Sequence, residues 1–513
     1  MLNSRTIQGI LTLIIGTFLA IWLGLSIVTN QIETLIQFGG VGLLLVCVLL
    51  GRRIWLLMIL LMAMNIPLIR GFGTAELGQA LFLGFSTIMI LMKRFNARII
   101  ITELEWWMIA VALTIVQVYA RNPVGIQMLG GTSVGGKAYF LTALAFCAAM
   151  VFATIRVPPN EMKWALYLDF FGRLIGIPIS ELRNRAGLAS MEAAEMGPQK
   201  ELADPGAATR IGLLGGIASV LSTWISSRVN PLKACFHPLW APLILISLAA
   251  AAGSGFRNTI ANVGMIYLVG IAYRGGILSL FLAAIAGAMG IAALSFFNLM
   301  TPLPANIQRA LTPFPGSWEQ RYKDDAKGSD EWRVEMWKEA LFTDRWIENK
   351  WLGDGLGMSD AELRRGQELA TIGARKSLSG ITLHQENAML SGDYHSGPVQ
   401  TVRIVGYVGL LVLVAAMIRV AVHAHRQILR SRGTEWFPLA LYFGIPPLVA
   451  PAFFLFIIGD FGRAAATLFI SAAMLRVIEN NLPLPVWRKS RHEPYVLKQQ
   501  RTGPVVTSRA TKA

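Results

Sequence analysis

The stretch DYHSGPVQTVRIVGYVGLLVLV sets one histidine, His395, immediately ahead of a long apolar run. An imidazole changes charge near neutral pH, so a confined one can take a proton from a hydroxyl or hold that hydroxyl in place. A loop histidine is more often structural or solvated than catalytic, which is the reading for His384 nearby. His395 stands above it by position. Gly406 and Gly409 follow at offsets of eleven and fourteen. On a continuous helix those offsets put both glycines near one face, about three to four turns below the histidine. Small residues on a spanning helix permit close packing. The expectation is a polar group held rigidly at the end of a packed helix.

Arginines are the other candidates. Arg257 lies in a very short connector, AAGSGFRNT, Arg210 opens an apolar run in GAATRIGLLGG, and Arg183 and Arg185 lie in ELRNRAG. Arg333 lies in EWRVEMWKEALFTDRW. Most arginines at a membrane edge reach for head groups. That explanation weakens for Arg257, because positive charge in a short outward turn runs against the usual bias. A guanidinium fork suits a phosphate or pyrophosphate. The tract WLGDGLGM, with Gly353, Gly355 and Gly357, allows tight turns and is better read as loop geometry than as a phosphate cradle. Asp324 and Asp325 form a lone acidic pair, better read as a solvated turn than as a metal site. Asp169 and Arg173 are four apart within an apolar segment, which favours a self-neutralising pair over a substrate gate.

The elements that must position these residues follow from composition. The chain has 513 residues, 54% hydrophobic and 15% charged. Soluble domains carry roughly 25% charged residues. Apolar stretches near twenty residues recur, as spanning helices require. They predict an all-α polytopic helix bundle of about 12–14 spans, at 7–28, 33–50, 54–70, 76–92, 104–120, 138–155, 161–179, 209–227, 236–252, 258–273, 276–298, 401–422, 436–457 and 462–479. The run 7–28 reads as a first span rather than a cleavable signal. The predicted organisation is a 1–298 transmembrane bundle, a large 299–400 loop, C-terminal spans over 401–480, and a basic tail over 481–513 lying against anionic lipid.

The net charge of +16 would suggest nucleic acid in a soluble protein. Here it reads as cytoplasmic retention of loops, with no nucleic-acid partner. Placing the connectors at Arg52 and Arg53, Lys93 to Arg98, Arg156 to Lys163, Arg228 to Lys233, Arg274 and His423 to Arg432 inside makes the count close. Both termini then lie in the cytoplasm and the 299–400 loop lies outside. Within that loop, 331–346 predicts an interfacial helix presenting Val334, Trp337 and Leu341, with Met336 and Ala340 beside them. A second, more polar helix is predicted over 361–376. Cys47, Cys147 and Cys235 all lie in or beside apolar segments, so no disulfide staples the loop.

These residues together resemble the O-antigen ligase and O-antigen polymerase superfamily of bacterial envelope enzymes. HSGPVQTVRIVGYVG is similar to the family's HNxxLxxLxxxGxxG pattern, matching the histidine and both glycines in register. Ser396 stands for the usual Asn, and Val399 and Val402 for the usual leucines. SGFRNTIANVGMIYL looks like the family's arginine-bearing segment and aligns its arginine with Arg257. WRVEMWKEALF followed by GDGLG resembles the family's Arg-x-x-x-Trp helix and glycine turn, which assigns Arg333. The family's first arginine matches Arg210 in RIGLLGGIAS best, with Arg185 in RAGLAS as competitor. The motif matches cover about 210–410 of the chain.

The resemblance implies a donor glycan on a polyprenyl pyrophosphate and an acceptor hydroxyl on a glycan, lipid or protein, at the outer face of the bacterial cytoplasmic membrane. Chain-length regulators or other assembly proteins are implied as partners, beside membrane lipids. It implies His395 as base or acceptor-positioning group, arginines on the pyrophosphate, inversion at the anomeric carbon, and neither metal nor other cofactor. The rival reading is a polysaccharide or lipid-linked oligosaccharide transporter or flippase. Such proteins carry ionisable groups at mid-membrane, in which these spans are poor. A third reading is a structural partner in an envelope assembly with a degenerate site, left open by the change from Asn to Ser396.

Overall fold

The computed structural model describes Gly42, residues 46–69, 72–93, 101–123, 136–185 and 211–357, Met389 and residues 394–482. The expected span 7–28, most of 33–50, Arg210, His384, the 361–376 helix and the basic tail lie outside the described residues, as does the side chain of Arg185.

The described chain is a bundle of helices: α1 (Ile54–Met64), α2 (Thr74–Leu91), α3 (Glu103–Arg121), α4 (Lys137–Phe152), α5 (Pro159–Arg185), α6 (Gly212–Arg228), the short α7 (Pro231–Ala234), α8 (Trp240–Gly253), α9 (Arg257–Met300), α10 (Ala305–Leu311), α11 (Gln320–Phe342), α12 (Gly397–Ser431), α13 (Phe437–Phe456) and α14 (Phe461–Asn481). The only described strands are Pro67–Ile69 and Phe72–Gly73, a small antiparallel hairpin after α1. Seven described helices are long and apolar enough to cross a membrane, and the protein is a polytopic membrane protein. Lys137–Phe152 and Trp240–Gly253 are shorter apolar helices.

Gly276, with φ 75° and ψ −173°, divides α9 into two apolar halves. The first half ends where Arg274 reaches the Ser226 carbonyl at 2.9 Å. The second half returns, and its Asn298 donates to the Ser317 carbonyl at 2.6 Å. That is the division expected between 258–273 and 276–298.

The core centres on α12, which packs against α13, α3 and α14. Small residues allow this closeness: Ala416, Ala424, Ala465, Ala472 and Ala473 are fully buried. On α5, Gly172 and Gly176 lie one turn apart and bring its backbone against α1, where any Cβ would strike Leu60, Ala63 or Met64.

The two ends of the bundle differ in chemistry. At one end Arg53 pairs with Glu161 at 2.7 Å, Lys163 with Glu435 at 2.8 Å, and Arg419 with Glu103 at 2.8 Å. The connectors at Arg228, Arg274 and Arg432 meet there too, Arg432 donating to the Tyr273 carbonyl at 2.8 Å. The other end holds His395, Arg257 and the glycine tract. His423, His425, Arg426 and Arg430 do not form a loop: α12 continues to Ser431. Long charged side chains are good helix formers, and acids on α3 and α14 receive them. Arg426 comes within 4.0 Å of Glu103, and His423 within 3.5 Å of Glu479.

Candidate functional site

His395 precedes α12 rather than lying on it. Ser396 is the N-cap and accepts from the Val399 amide, and Pro398 occupies the first turn. His395 itself has φ 49°, a left-handed conformation that costs energy outside glycine and persists only when its surroundings hold it. Those surroundings are α11. Trp337 Nε1 donates to the Tyr394 carbonyl at 2.7 Å. The Trp332 ring meets the imidazole edge-on, centroids 5.6 Å apart and planes at 79°. Behind them Met336, Ala340, Trp346, Tyr394, Val399 and Val402 form a closed apolar cluster.

The buried face of α11 therefore differs from the expected one. It runs through Trp332, Met336 and Ala340, with Trp337 and Leu341 at its side, while Val334 is 42% exposed. Ala340 and Tyr394 are both fully buried in this cluster.

The expected continuous helix below His395 is broken. Gly406 has φ 73° and ψ −179° inside α12, a combination open to glycine alone. The glycine tract fills the break. The Asp354 amide donates to the Arg403 carbonyl at 2.8 Å, and that of Gly355 to Ile404 at 3.0 Å. In return the Tyr407 amide donates to Lys350 at 2.8 Å and that of Val408 to Trp351 at 3.2 Å. A Cβ on Gly406 would fall onto the Trp351 carbonyl, and one on Gly353 onto that of Ile404. Gly409 sits against Val405 and Thr114. So Gly406 admits a backbone rather than a neighbouring helix, and the amides of Asp354 and Gly355 are spent on the break, while that of Gly353 donates to the Asn349 carbonyl.

Other residues clamp the same junction. Arg403 is 4% exposed and donates to the carbonyls of Gly355, at 2.8 Å, and Gly357. Arg121 donates to the carbonyls of Leu352 at 2.9 Å and Gly353 at 2.8 Å. The Tyr139 hydroxyl accepts from the Leu356 amide at 2.8 Å.

Arg257 begins α9 and forks onto Asp330 of α11, at 3.0 and 2.9 Å. Arg333 also approaches Asp330, at 3.5 Å. One carboxylate thus holds both candidate arginines. They line different surfaces. Arg257, Asp330, Lys323, Lys327 and Lys338 border an open cleft of about 840 Å³. At 100° per residue, Lys323, Lys327 and Lys338 lie on the face of α11 away from Trp332 and Met336. The structure brings His395, Arg257 and Arg333 to one helix, but His395 and Arg257 meet it from different faces.

Sequence reasoning passed over Asp330, Trp332 and Arg403. Arg403 had a signal, being an arginine inside an apolar run. Asp330, in a charged stretch, had none. Beneath Gly397, α12, α13 and α14 border a largely apolar, partly open cavity of about 210 Å³, lined by Met417, Pro446 and Phe454 together with Asp460 and Arg463. Further into the bundle Arg173 forks onto Asp169 at 2.8 and 3.2 Å, and the Tyr442 hydroxyl donates to the same carboxylate at 2.7 Å. With Ser219, Thr223 and Asn262 these groups line a cavity of about 230 Å³.

No protein-family model matches the sequence, and no curated protein shows significant similarity to it.

Proposed function

We propose that the chain is a glycosyltransferase of the O-antigen ligase and polymerase type. It moves a glycan from a polyprenyl pyrophosphate to an acceptor hydroxyl at the outer face of a bacterial cytoplasmic membrane. In this reading the His395 end faces outward and the basic end faces the cytoplasm, as retention of basic connectors requires. The acceptor oxygen attacks the anomeric carbon, the bond to pyrophosphate breaks, and configuration inverts. His395 takes the acceptor's proton, and the arginines meet the charge growing on the leaving pyrophosphate.

The observation that supports the reading is that one helix, α11, holds both kinds of group, on different faces. One helix fixes His395 through Trp332 and Trp337, and fixes Arg257 and Arg333 through Asp330. The His395 segment is held in place before any substrate arrives, as preorganised catalysis demands. The largely apolar cavity below Gly397, whose lining includes Asp460 and Arg463, has room for part of a lipid chain. Asp330 must yield Arg257 when a phosphate arrives.

The test is analysis of lipid-linked glycans in cells carrying His395→Ala at wild-type protein level. Accumulated single repeats would assign a polymerase, and accumulated long chains a ligase. Unchanged products would remove the transferase reading.

One observation favours a transporter or flippase as a second reading: the cavity at Asp169, Arg173 and Tyr442 sets ionisable groups inside the bundle. Its acid is already satisfied by two partners, so the transferase remains the stronger account. A Tyr442→Phe variant that stops glycan translocation, with no glycan transfer by the purified wild-type protein, would favour the second reading.

A further inference from the structure

The acids at the basic end are spoken for. Glu161 holds Arg53, Glu435 holds Lys163, Glu103 holds Arg419, and Glu105 and Glu479 hold Arg476. Arg228, Arg274 and Arg432 meet at that end, and none of the three has a carboxylate partner among the described residues. Arg274 donates to the Ser226 and Ser227 carbonyls, capping the end of α6, and lies 4.9 Å from the Phe437 ring centre. Arg228 lies over Trp224 at 4.6 Å and Tyr167 at 5.1 Å. Arg432 holds the Tyr273 carbonyl, one residue from Arg274. Carbonyl dipoles and aromatic faces orient these guanidiniums and leave their charge unneutralised.

A second observation points to a missing anion. Arg228 Nε and Asn230 Nδ2 are buried with no acceptor. Asn230 lies against Gly275, where a Cβ would come within 2.6 Å of Nδ2. Buried donors without acceptors are costly, and native proteins retain few. Two in the same corner as three unneutralised arginines mark a place for an oxyanion.

The surroundings say which kind. Phe236 is 89% exposed, Ile277 86% and Leu278 68%, and they flank Asn230 and Arg274 along the chain. A free anion has no use for such a border, whereas acyl chains do. We infer that Arg228, Arg274, Arg432 and Asn230 form a binding site for the phosphodiester head group of an anionic bilayer lipid, its chains lying along Phe236, Ile277 and Leu278. The site sits at the opposite end of the bundle from His395 and does not depend on the glycan chemistry there.

The experiment is lipid titration of the full-length protein in neutral detergent, read by native mass spectrometry. Phosphatidylglycerol should bind at least tenfold more tightly than phosphatidylcholine. Each basic residue at a membrane surface contributes roughly fivefold in affinity, so R228Q with R432Q should lower it more than tenfold. Arg53→Gln removes an arginine already paired with Glu161 and should leave the affinity unchanged. If the double variant unfolds, R432Q alone carries the test, since Arg432 is exposed. Equal binding of the two lipids overturns the proposal, as does a phosphatidylglycerol affinity indifferent to R432Q. Inorganic phosphate serves as the second arm. If it binds with the same arginine dependence while the lipid does not, the site takes a free anion and the lipid assignment fails.

Discussion

Replacing Gly406 by alanine should open the junction between α12 and the glycine tract. Two costs add. The φ of 73° and ψ of −179° at Gly406 exclude a side chain, at about 1–3 kcal/mol. The new Cβ would also meet the Trp351 carbonyl and the Leu352 amide, both backbone, so neither can swing aside. Overpacking of that kind costs about 1–3 kcal/mol. Relief requires the 350–355 segment to lift, breaking the hydrogen bonds given by Asp354, Gly355, Tyr407 and Val408. Gly276 is the control. Its φ of 75° and ψ of −173° nearly equal those of Gly406, yet a Cβ there meets nothing within 4 Å. Gly276→Ala carries the strain without the collision, far from the tract. Hydrogen exchange on purified protein reads the difference at those four amides. A lowering of the opening free energy by about 3 kcal/mol means exchange on the order of 100-fold faster in Gly406→Ala. Gly276→Ala should leave the same amides unchanged. Rates within about threefold of wild type in Gly406→Ala would mean that the tract does not fill the break tightly, as would equal acceleration by Gly276→Ala.

Two further outcomes follow from neighbouring contacts. Arg403→Ala removes a buried charge whose donors serve the Gly355 and Gly357 carbonyls, so thermal unfolding in detergent should show a loss of about 2–4 kcal/mol; Arg403→Lys should recover only part of it, because an ammonium lacks the fork. Asp330→Asn should change stability by less than about 1 kcal/mol, since the pair is partly exposed. Calorimetry should show inorganic pyrophosphate binding several-fold more tightly to that variant, and a weaker affinity would mean that Asp330 does not compete for Arg257.

Much of the bundle was legible because lipid leaves few options: backbone groups must be satisfied within each segment, so long apolar runs become helices. The expected 104–120, 436–457 and 462–479 appear as Glu103–Arg121, Phe437–Phe456 and Phe461–Asn481. Hydropathy reads ends poorly where charged residues continue a helix, which is why α12 outruns its expected end at 422. The break at Gly406 was hidden for another reason. Glycine inside an apolar run reads as close packing, and the backbone that fills the break comes from Lys350 to Gly355, fifty residues away in sequence. At the site, residue type singled out His395, Arg257 and Arg333, but not what connects them. The connection runs through Asp330 and Trp332, ordinary members of a charged amphipathic helix whose partners only the fold supplies.

The proposed reaction is transfer of a glycan from a lipid pyrophosphate with His395 at the reacting hydroxyl. Its most direct test is purified protein in liposomes given a labelled polyprenyl-pyrophosphate glycan and an acceptor glycan, with no metal or nucleotide added. Expected are transfer by wild type, loss of about 100-fold or more in His395→Ala, and release of polyprenyl pyrophosphate in step with product. Transfer at the wild-type rate by His395→Ala, with the fold intact, would contradict it.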